Sequence, residues 1–172
     1  MRALTFEAVI AMPRAAVWAK LRDLRSARHY VHGVTNIELN TPQREGVGAS
    51  RKVFRQGRPP VDETVVVWED GRRIALNIHD GERPPGPFKW AKFQYVIEDA
   101  PNGQTRVIGT FSYEMAWGLF GRIFDAFAVR PAIARTQATL GENMKTFYET
   151  GQSPVRPTGK GIPRETGRAT NG

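Results

Sequence analysis

The longest helical pattern in the chain runs from Phe120 to Thr150, and it constrains the fold because no other segment is long enough to cover a whole sheet. Pro131 interrupts the pattern. Either the helix kinks there, or a short helix ends near Val129 and a longer one starts with Pro131 in its first turn. Gly151 ends the pattern as a helix-stopping glycine. The apolar residues recur at helical spacing, which predicts one continuous apolar stripe: Phe120, Ile123, Phe124, Phe127, Ile133, Leu140, Met144 and Phe147.

Upstream of this helix, the sequence has the pattern of strands separated by turn residues. A first strand over residues 4–10 is followed by helical segments over 14–24 and 27–32. Short connections indicate antiparallel neighbours, and Asp70-Gly71 is the strongest hairpin signal. The sequence therefore predicts an α+β fold, with a seven-stranded antiparallel sheet, two short helices between strands 1 and 2, and one long C-terminal helix. The six later strands are predicted over residues 34–40, 49–56, 61–69, 73–79, 88–98 and 105–115.

Composition sets the broad class of the protein. Hydrophobic residues make up 40% of the 172 positions, which is typical of a globular chain. We expect one domain over residues 1–150, followed by a disordered basic tail over 151–172 that is rich in Gly, Pro, Thr and Arg. The first residues lack the apolar run of a signal peptide, and no apolar run is long enough to span a bilayer. The expected compartment is the cytoplasm.

Charge and residue counts restrict the chemistry that the chain is expected to perform. The formal net charge of +8 is spread along the sequence without a long block of like charges, so we expect a solvated surface and no nucleic-acid partner. The absence of cysteine excludes disulfides, thiolate metal sites and cysteine nucleophiles. His29 and His32 could share a helix face but would need a third ligand to hold a metal. We therefore predict no metal and no cofactor, and leave a monomer or a homodimer open.

Several local runs resemble the START-like (SRPBCC) superfamily, in its polyketide cyclase/dehydrase branch. Residues 7–18 lead from a strand through an apolar-proline turn to a helix that carries Val17 and Trp18, as in that branch. Residues 46–51, 105–107 and 130–147 are also similar to it, and the resemblance covers roughly residues 3 to 150. It implies a helix-grip fold, in which the sheet curls around the long helix and leaves an internal cavity for a small apolar molecule.

The resemblance places Arg51 and Glu63 inside the cavity, where a charged group needs a partner. Paired with each other, they form a structural ion pair. Paired with a ligand, they bind a carboxylate, a phenol or a carbonyl. One residue of slip in a strand would turn such a side chain outward.

The remaining cavity candidates supply polar tips or apolar wall. Tyr95 and Tyr113 are predicted to contribute hydroxyls, and His79 a group that titrates near neutrality. Met144 and Phe127 are predicted to line the apolar part.

Two connections near the predicted cavity have alternative interpretations. The proline-rich tip over residues 81–87 is either a gate at the cavity mouth or a rigid turn. The apolar segment 115–121 either packs the helix entry on the sheet, which we expect, or contacts a membrane.

Three functions remain open at the level of sequence. The first is the binding or carriage of a small hydrophobic molecule, such as a lipid, an aromatic or a polyketide-like compound. The second is an enzyme of the cyclase, aromatase or dehydratase type, in which a shaped pocket orients a reactive chain and polar groups move protons. The third is an interaction module for RNA or an anionic membrane.

Overall fold

A computed structural model describes residues 1–155 of the chain, and residues 156–172 lie outside the described part. Seven antiparallel strands form one open sheet in the order β1-β7-β6-β5-β4-β3-β2, as predicted. Each hairpin joins sequence neighbours, while β1 pairs with β7 at the far end of the chain. The strands are β1 (Arg2–Ile10), β2 (Val34–Leu39), β3 (Ser50–Arg55), β4 (Arg58–Glu69), β5 (Arg73–His79), β6 (Phe88–Ala100) and β7 (Gln104–Met115).

The helices lie where the sequence pattern predicts them. Between β1 and β2 are α1 (Arg14–Leu21) and a 3-10 turn (Ser26–His29), and another 3-10 turn (Pro101–Gly103) joins β6 to β7. The C-terminal helix is 33 residues long. It consists of α2 (Gly118–Phe124), a π turn (Asp125–Val129) and α3 (Arg130–Thr150).

The π turn explains how the helix passes Pro131. A proline lacks the backbone N–H, and its ring collides with the carbonyl four residues earlier, so it disrupts regular helix geometry. Here the helix widens into one π turn just before the proline, and α3 then starts at Arg130 with Pro131 in its first turn. The boundary near Val129 is therefore confirmed, although the backbone stays helical across it.

The second half of the C-terminal helix is gripped by the sheet and by α1. Leu140, Met144 and Tyr148 are buried along one face of α3 and share one core with residues of α1 and the inner face of the sheet. At the edge strand, the Lys145 ammonium donates to the carbonyl oxygen of Val9 at 2.8 Å. This part of the apolar stripe does what its spacing predicts.

The first half of the apolar stripe, in α2 and the π turn, does not face the sheet as its spacing predicts. Phe120 is 82% exposed and Phe127 is 84% exposed, so these large apolar side chains do not pack on the sheet, although Met115 and Gly121 of segment 115–121 are buried. The face that meets the sheet carries Gly121 and Asp125 instead, which are buried one turn apart. A β-carbon on Gly121 would lie 1.8 Å from the carbonyl oxygen of Ala116, so only glycine fits there.

A buried carboxylate fixes this orientation of the helix. Tyr113 of β7 donates its hydroxyl to Asp125 at 2.5 Å, and the Arg2 guanidinium of β1 lies 3.3 Å from the other carboxylate oxygen. Burial and the Asp125 carboxylate together raise the pKa of the Tyr113 phenol, which therefore stays protonated. The helix is thus anchored by a polar contact on its inner side, and its large apolar side chains face outward.

The first residues of the predicted tail lie against the domain. Ser153 donates its hydroxyl to the carbonyl oxygen of His29 at 2.8 Å, and Val155 is only 8% exposed. The remainder of the predicted tail, residues 156–172, falls outside the described residues.

Candidate functional site

A cavity of about 270 Å³ lies between the inner face of the sheet and the first turns of α3. Its wall is mostly apolar and includes Phe88 and Phe93 from β6 and Phe111 from β7. The other lining residues are Val31, Val34, Arg51, Val53, Arg55, Arg58, Val61, Glu63, Ile78, Pro85, Gly86, Ala91, Tyr95, Ala132, Ile133, Thr136, Gln137 and Leu140. The volume is slightly below the range of about 300–1,000 Å³ typical of pockets for drug-sized ligands. The space therefore suits a small molecule with an apolar body.

Two of the predicted charges meet in this wall. Arg51 and Glu63 are directly opposite in the β3–β4 pairing, and the Arg51 Nε donates to Glu63 Oε2 at 2.8 Å. The guanidinium also donates to the carbonyl oxygen of Leu24, which ties the pair to the segment after α1. Burial opposes the charged form, but the Glu63 carboxylate, together with Tyr95 and Tyr30, outweighs it and raises the pKa of Arg51. Of the two predicted pairings, the one within the protein is present.

Tyr95 lies next to this ion pair in the cavity wall. It is 5% exposed, and burial, together with the neighbouring Tyr30, raises the pKa of its phenol well above the ordinary value. A phenol that stays protonated can donate a hydrogen bond to a ligand oxygen but is a poor base. Arg51, Glu63 and Tyr95 are thus the predicted site residues that the structure places together.

His79 lies outside the cavity because of strand alternation. Its neighbour Ile78 lines the cavity, so His79 points to the other face of β5. Its Nδ1 lies 2.6 Å from the carbonyl oxygen of Gly81 and therefore donates to it, while Nε2 lies 2.8 Å from the Thr64 hydroxyl. The prediction that His79 lines the cavity is wrong, because successive residues of a strand point to opposite faces and Ile78 is the one that faces the cavity.

Three other candidates also lie away from the cavity wall. Tyr113 shares a sheet face with Phe111 but lies under the start of the C-terminal helix, where its hydroxyl donates a hydrogen bond to Asp125. Phe127 projects outward from the π turn, and the prediction that it lines the cavity is wrong. Met144 has no exposed surface and packs within the core, one turn beyond Leu140, the last residue of α3 that lines the cavity.

Sequence reasoning missed four polar residues of the cavity wall, Arg55, Arg58, Thr136 and Gln137. Arg55 and Arg58 are opposite each other at the tip of the β3–β4 hairpin. A signal for Arg55 was present, because Arg51, Val53 and Arg55 alternate along one strand and therefore share a face. Gln137 gave no comparable signal, since it follows the polar spacing of an exposed helix face.

The proline-rich connection between β5 and β6 borders the cavity through Pro85 and Gly86. Its tip is closed by a pair of backbone hydrogen bonds between Asp80 and Arg83. The segment therefore forms part of the cavity wall, next to the helical residues Ala132 and Ile133.

One protein family matches nearly the whole of the domain that encloses this cavity. The model of the family described as polyketide cyclase / dehydrase and lipid transport matches residues 1–149. The chain belongs to this family. The match covers both sides of the cavity, the sheet and α3. A comparison with curated proteins found no match.

Solved structures share the fold of this polyketide cyclase/dehydrase family member at low identity. A protein from Thermus thermophilus is 20% identical, with a TM-score of 0.66 over 86% of this chain and 97% of its own. The Zhui aromatase/cyclase from a Streptomyces species is 14% identical, with a TM-score of 0.62 over 87% and 97%. The Aha1 dimer from Colwellia psychrerythraea is 14% identical, with a TM-score of 0.64 over 88% and 98%. At these identities the likeness concerns the fold alone.

Residues 1–155 contain neither a cluster suited to a metal ion nor a helix suited to span a membrane. Within that range, no group of three or more His, Cys, Asp or Glu side chains is arranged to hold a metal ion. No helix in the same part of the chain is long and apolar enough to cross a membrane.

Proposed function

We propose that the protein binds a small hydrophobic molecule, aromatic or polyketide-like, in the cavity between the sheet and α3. The observation that carries this proposal is an apolar space of about 270 Å³ in the interior of the domain, bordered by three phenylalanines. Burying apolar ligand surface there contributes about 25 cal/mol per Å² of area removed from water. The family description, which includes lipid transport, supports the same function.

The polar corner of the cavity gives the ligand an orientation. A ligand oxygen near Tyr95 can accept from its phenol, since the high pKa keeps the proton in place. Arg51 and Glu63 already satisfy each other, so the ion pair serves as a fixed polar wall next to that phenol. The ligand therefore combines an apolar body with at least one oxygen acceptor.

The test uses the neutral fluorescent probe N-phenyl-1-naphthylamine, whose emission rises when it leaves water. We expect the purified protein to bind the probe at one site, and Ala132→Trp to abolish binding by filling the cavity. Ala132 lines the cavity yet is exposed on its outer side, so the variant is expected to fold. Ala138→Trp is the matched control, because Ala138 is exposed on the same helix and does not line the cavity. Absence of probe binding, or equal loss in both variants, would refute the proposal.

A cyclase or dehydratase activity is the second candidate, and the contiguity of Glu63 with Tyr95 in the wall favours it. In such an enzyme the cavity would hold a reactive chain in a folded shape, and Tyr95 would donate a hydrogen bond to a developing oxyanion. Turnover of a β-ketoacyl thioester that is lost in Tyr95→Phe, with probe binding retained, would establish it. Equal turnover in Tyr95→Phe would exclude this role for the phenol.

A further inference from the structure

The cavity holds polar atoms that the protein itself does not satisfy. Among residues 1–155, four buried side-chain nitrogen or oxygen atoms have no hydrogen-bond partner, and two of these belong to cavity residues, Arg55 Nε and Gln137 Oε1. Gln137 is only 5% exposed. Buried polar groups are nearly always paired in native proteins, so each unpaired atom requires an explanation. A ligand with complementary polar groups would explain both the unpaired Arg55 Nε and the unpaired Gln137 Oε1.

The charge of the cavity points to the sign of the missing partner. Arg51 is neutralised by Glu63, but Arg55 and Arg58 form no ion pair with any acidic residue in the described range. Burial and, after it, the adjacent Arg58 charge lower the pKa of Arg55. Arg55 and the more exposed Arg58 are opposite residues of the hairpin tip, and together their guanidinium groups match the two oxygens of a carboxylate.

We propose that the natural ligand is a small hydrophobic acid, whose carboxylate binds Arg55 and Arg58 and whose hydroxyl donates to Gln137. This inference rests on the proposed function and specifies its ligand class. The carboxylate accepts from the free Arg55 Nε, while Arg55 keeps its hydrogen bond to the carbonyl oxygen of Pro59 at 2.8 Å. The apolar body lies against the phenylalanine wall.

The test measures displacement of N-phenyl-1-naphthylamine by two competitors of equal shape, naphthalene-2-carboxylate and naphthalene-2-carboxamide. We expect the carboxylate to compete at least about 10-fold better, because a hydrogen bond to a charged group contributes that much or more. Arg58→Gln and Arg55→Gln should each reduce this preference, taken as the ratio of the two competitors' affinities for the same variant. Arg106→Gln is the matched control, since Arg106 is exposed on β7 and does not line the cavity.

The outcomes separate the two proposals. If the probe does not bind, the proposed function fails and the acid fails with it. If the probe binds but acid and amide compete equally, only the acid is overturned. If the preference exists and survives both arginine substitutions, the assignment of the carboxylate to this hairpin tip is overturned. The hydroxyl is tested by 3-hydroxy-2-naphthoate, which should outcompete 2-naphthoate in the wild type but not in Gln137→Leu, and equal competition in the wild type would overturn that contact.

A second inference comes from a different surface, the apolar ridge formed by Trp117, Leu119, Phe120, Ile123, Phe124 and Phe127. All six side chains are exposed, the least of them by 47%. Single exposed apolar residues are common, but a contiguous group of this size marks an interaction surface. The ridge exists because the helix turns Gly121 and Asp125 inward, so it is a consequence of the anchoring contact and not of loose packing.

The charges around the ridge identify the kind of partner. Arg122, Arg130 and Arg135 are exposed on the same helix. The only acidic residue between Trp117 and Gly141 is Asp125, which is 1% exposed and held by Tyr113. Aromatic and aliphatic side chains with an arginine border are characteristic of helices that lie in the interface of an anionic membrane.

We infer that the ridge docks on an anionic lipid surface. The large apolar side chains enter the boundary between headgroups and acyl chains, while Arg122 and Arg130 contact the phosphates. The test is flotation with vesicles of phosphatidylcholine, alone or with phosphatidylglycerol. We expect binding to the mixed vesicles, weakened about 10-fold or more by the double variant Phe120→Ser with Phe127→Ser and by Arg122→Gln with Arg130→Gln.

Matched controls exist for both kinds of substitution. Val66→Ser removes an apolar side chain that is 40% exposed on β4, and Arg106→Gln removes a charge of β7. Neither should change vesicle binding. Absence of binding to mixed vesicles, or equal binding to pure phosphatidylcholine, would overturn the inference. So would a homodimer that Phe120→Ser with Phe127→Ser dissociates, since a second copy would then be the occupant of the ridge.

Discussion

Substitution of Glu63 by glutamine tests whether the Arg51–Glu63 pair supports the fold. The two side chains are 8% and 13% exposed, so the variant leaves an arginine charge buried without its counter-ion. Breaking one side of a buried pair costs about 3–5 kcal/mol. We expect the lower end, about 3 kcal/mol, because the amide oxygen of the introduced glutamine would still accept from the guanidinium. For a chain of this size, that loss corresponds to a decrease in Tm of about 6–12 °C.

Removing both charges is the control that distinguishes the cost of an unpaired buried charge from the cost of changing side chains at these two positions. Arg51→Met combined with Glu63→Leu leaves no buried charge, and exchanges of this type are neutral or stabilising. We therefore expect the free energy of unfolding of the double variant, measured by urea denaturation, to lie within about 1 kcal/mol of the wild type or above it. If Glu63→Gln instead unfolds like the wild type, the pair does not stabilise the domain. The pair would then not be a fixed wall of the cavity, and that role would be refuted.

Three further perturbations follow from single contacts. Burial and the neighbouring Arg28 charge lower the pKa of His29 in the folded protein. The stability that neutral His29 contributes is therefore fully present above the unfolded pKa of about 6.5. It is lost as the pH falls through the lower pKa of the folded state. His29→Gln should flatten urea stability against pH below that point, and an unchanged slope would contradict this. Gly109→Ala places a β-carbon 2.1 Å from Phe6 Cε1, which should cost about 1–3 kcal/mol in urea unfolding. Phe6→Leu in the same chain should restore part of it, and no recovery would rule out the collision. A chain ending at Gly151 should lose about 1.5 kcal/mol by removing buried Val155, whereas one ending at Val155 should not, and equal Tm values would show that Val155 contributes nothing.

The order of elements could be predicted from the sequence because turn residues and apolar spacing are local signals. The antiparallel sheet and the long helix followed from them, and the resemblance to the family placed Arg51 and Glu63 inside the cavity. Their pairing was one of two stated alternatives, since a sequence shows that two charges can meet but not whether a ligand separates them. The basis for predicting Arg55 was also present, because it alternates with Arg51 along β3.

The rest depended on three-dimensional facts that no local pattern contains. His79 is an exception, because its alternation with the cavity residue Ile78 along β5 was visible in the sequence. The apolar stripe predicted the inner face of α3 but not that of α2, where the large apolar side chains face outward. Gly121 and Asp125 determine which face of α2 meets the sheet. Their spacing of one turn is visible in the sequence, but it does not show that Tyr113 and Arg2 bind the Asp125 carboxylate.

The pairing of β1 with β7 has a consequence for the order in which the chain can fold. β1 has a single strand neighbour, β7, and Phe6 pairs there with Gly109. During synthesis, the first strand therefore remains without its partner until the last strand has left the ribosome. Such distant pairing slows folding and leaves an unpaired edge open to aggregation in the meantime. We expect that any chain ending before β7 cannot complete the sheet, and that folding of the whole protein begins in the β3–β6 meander, with β1 added last.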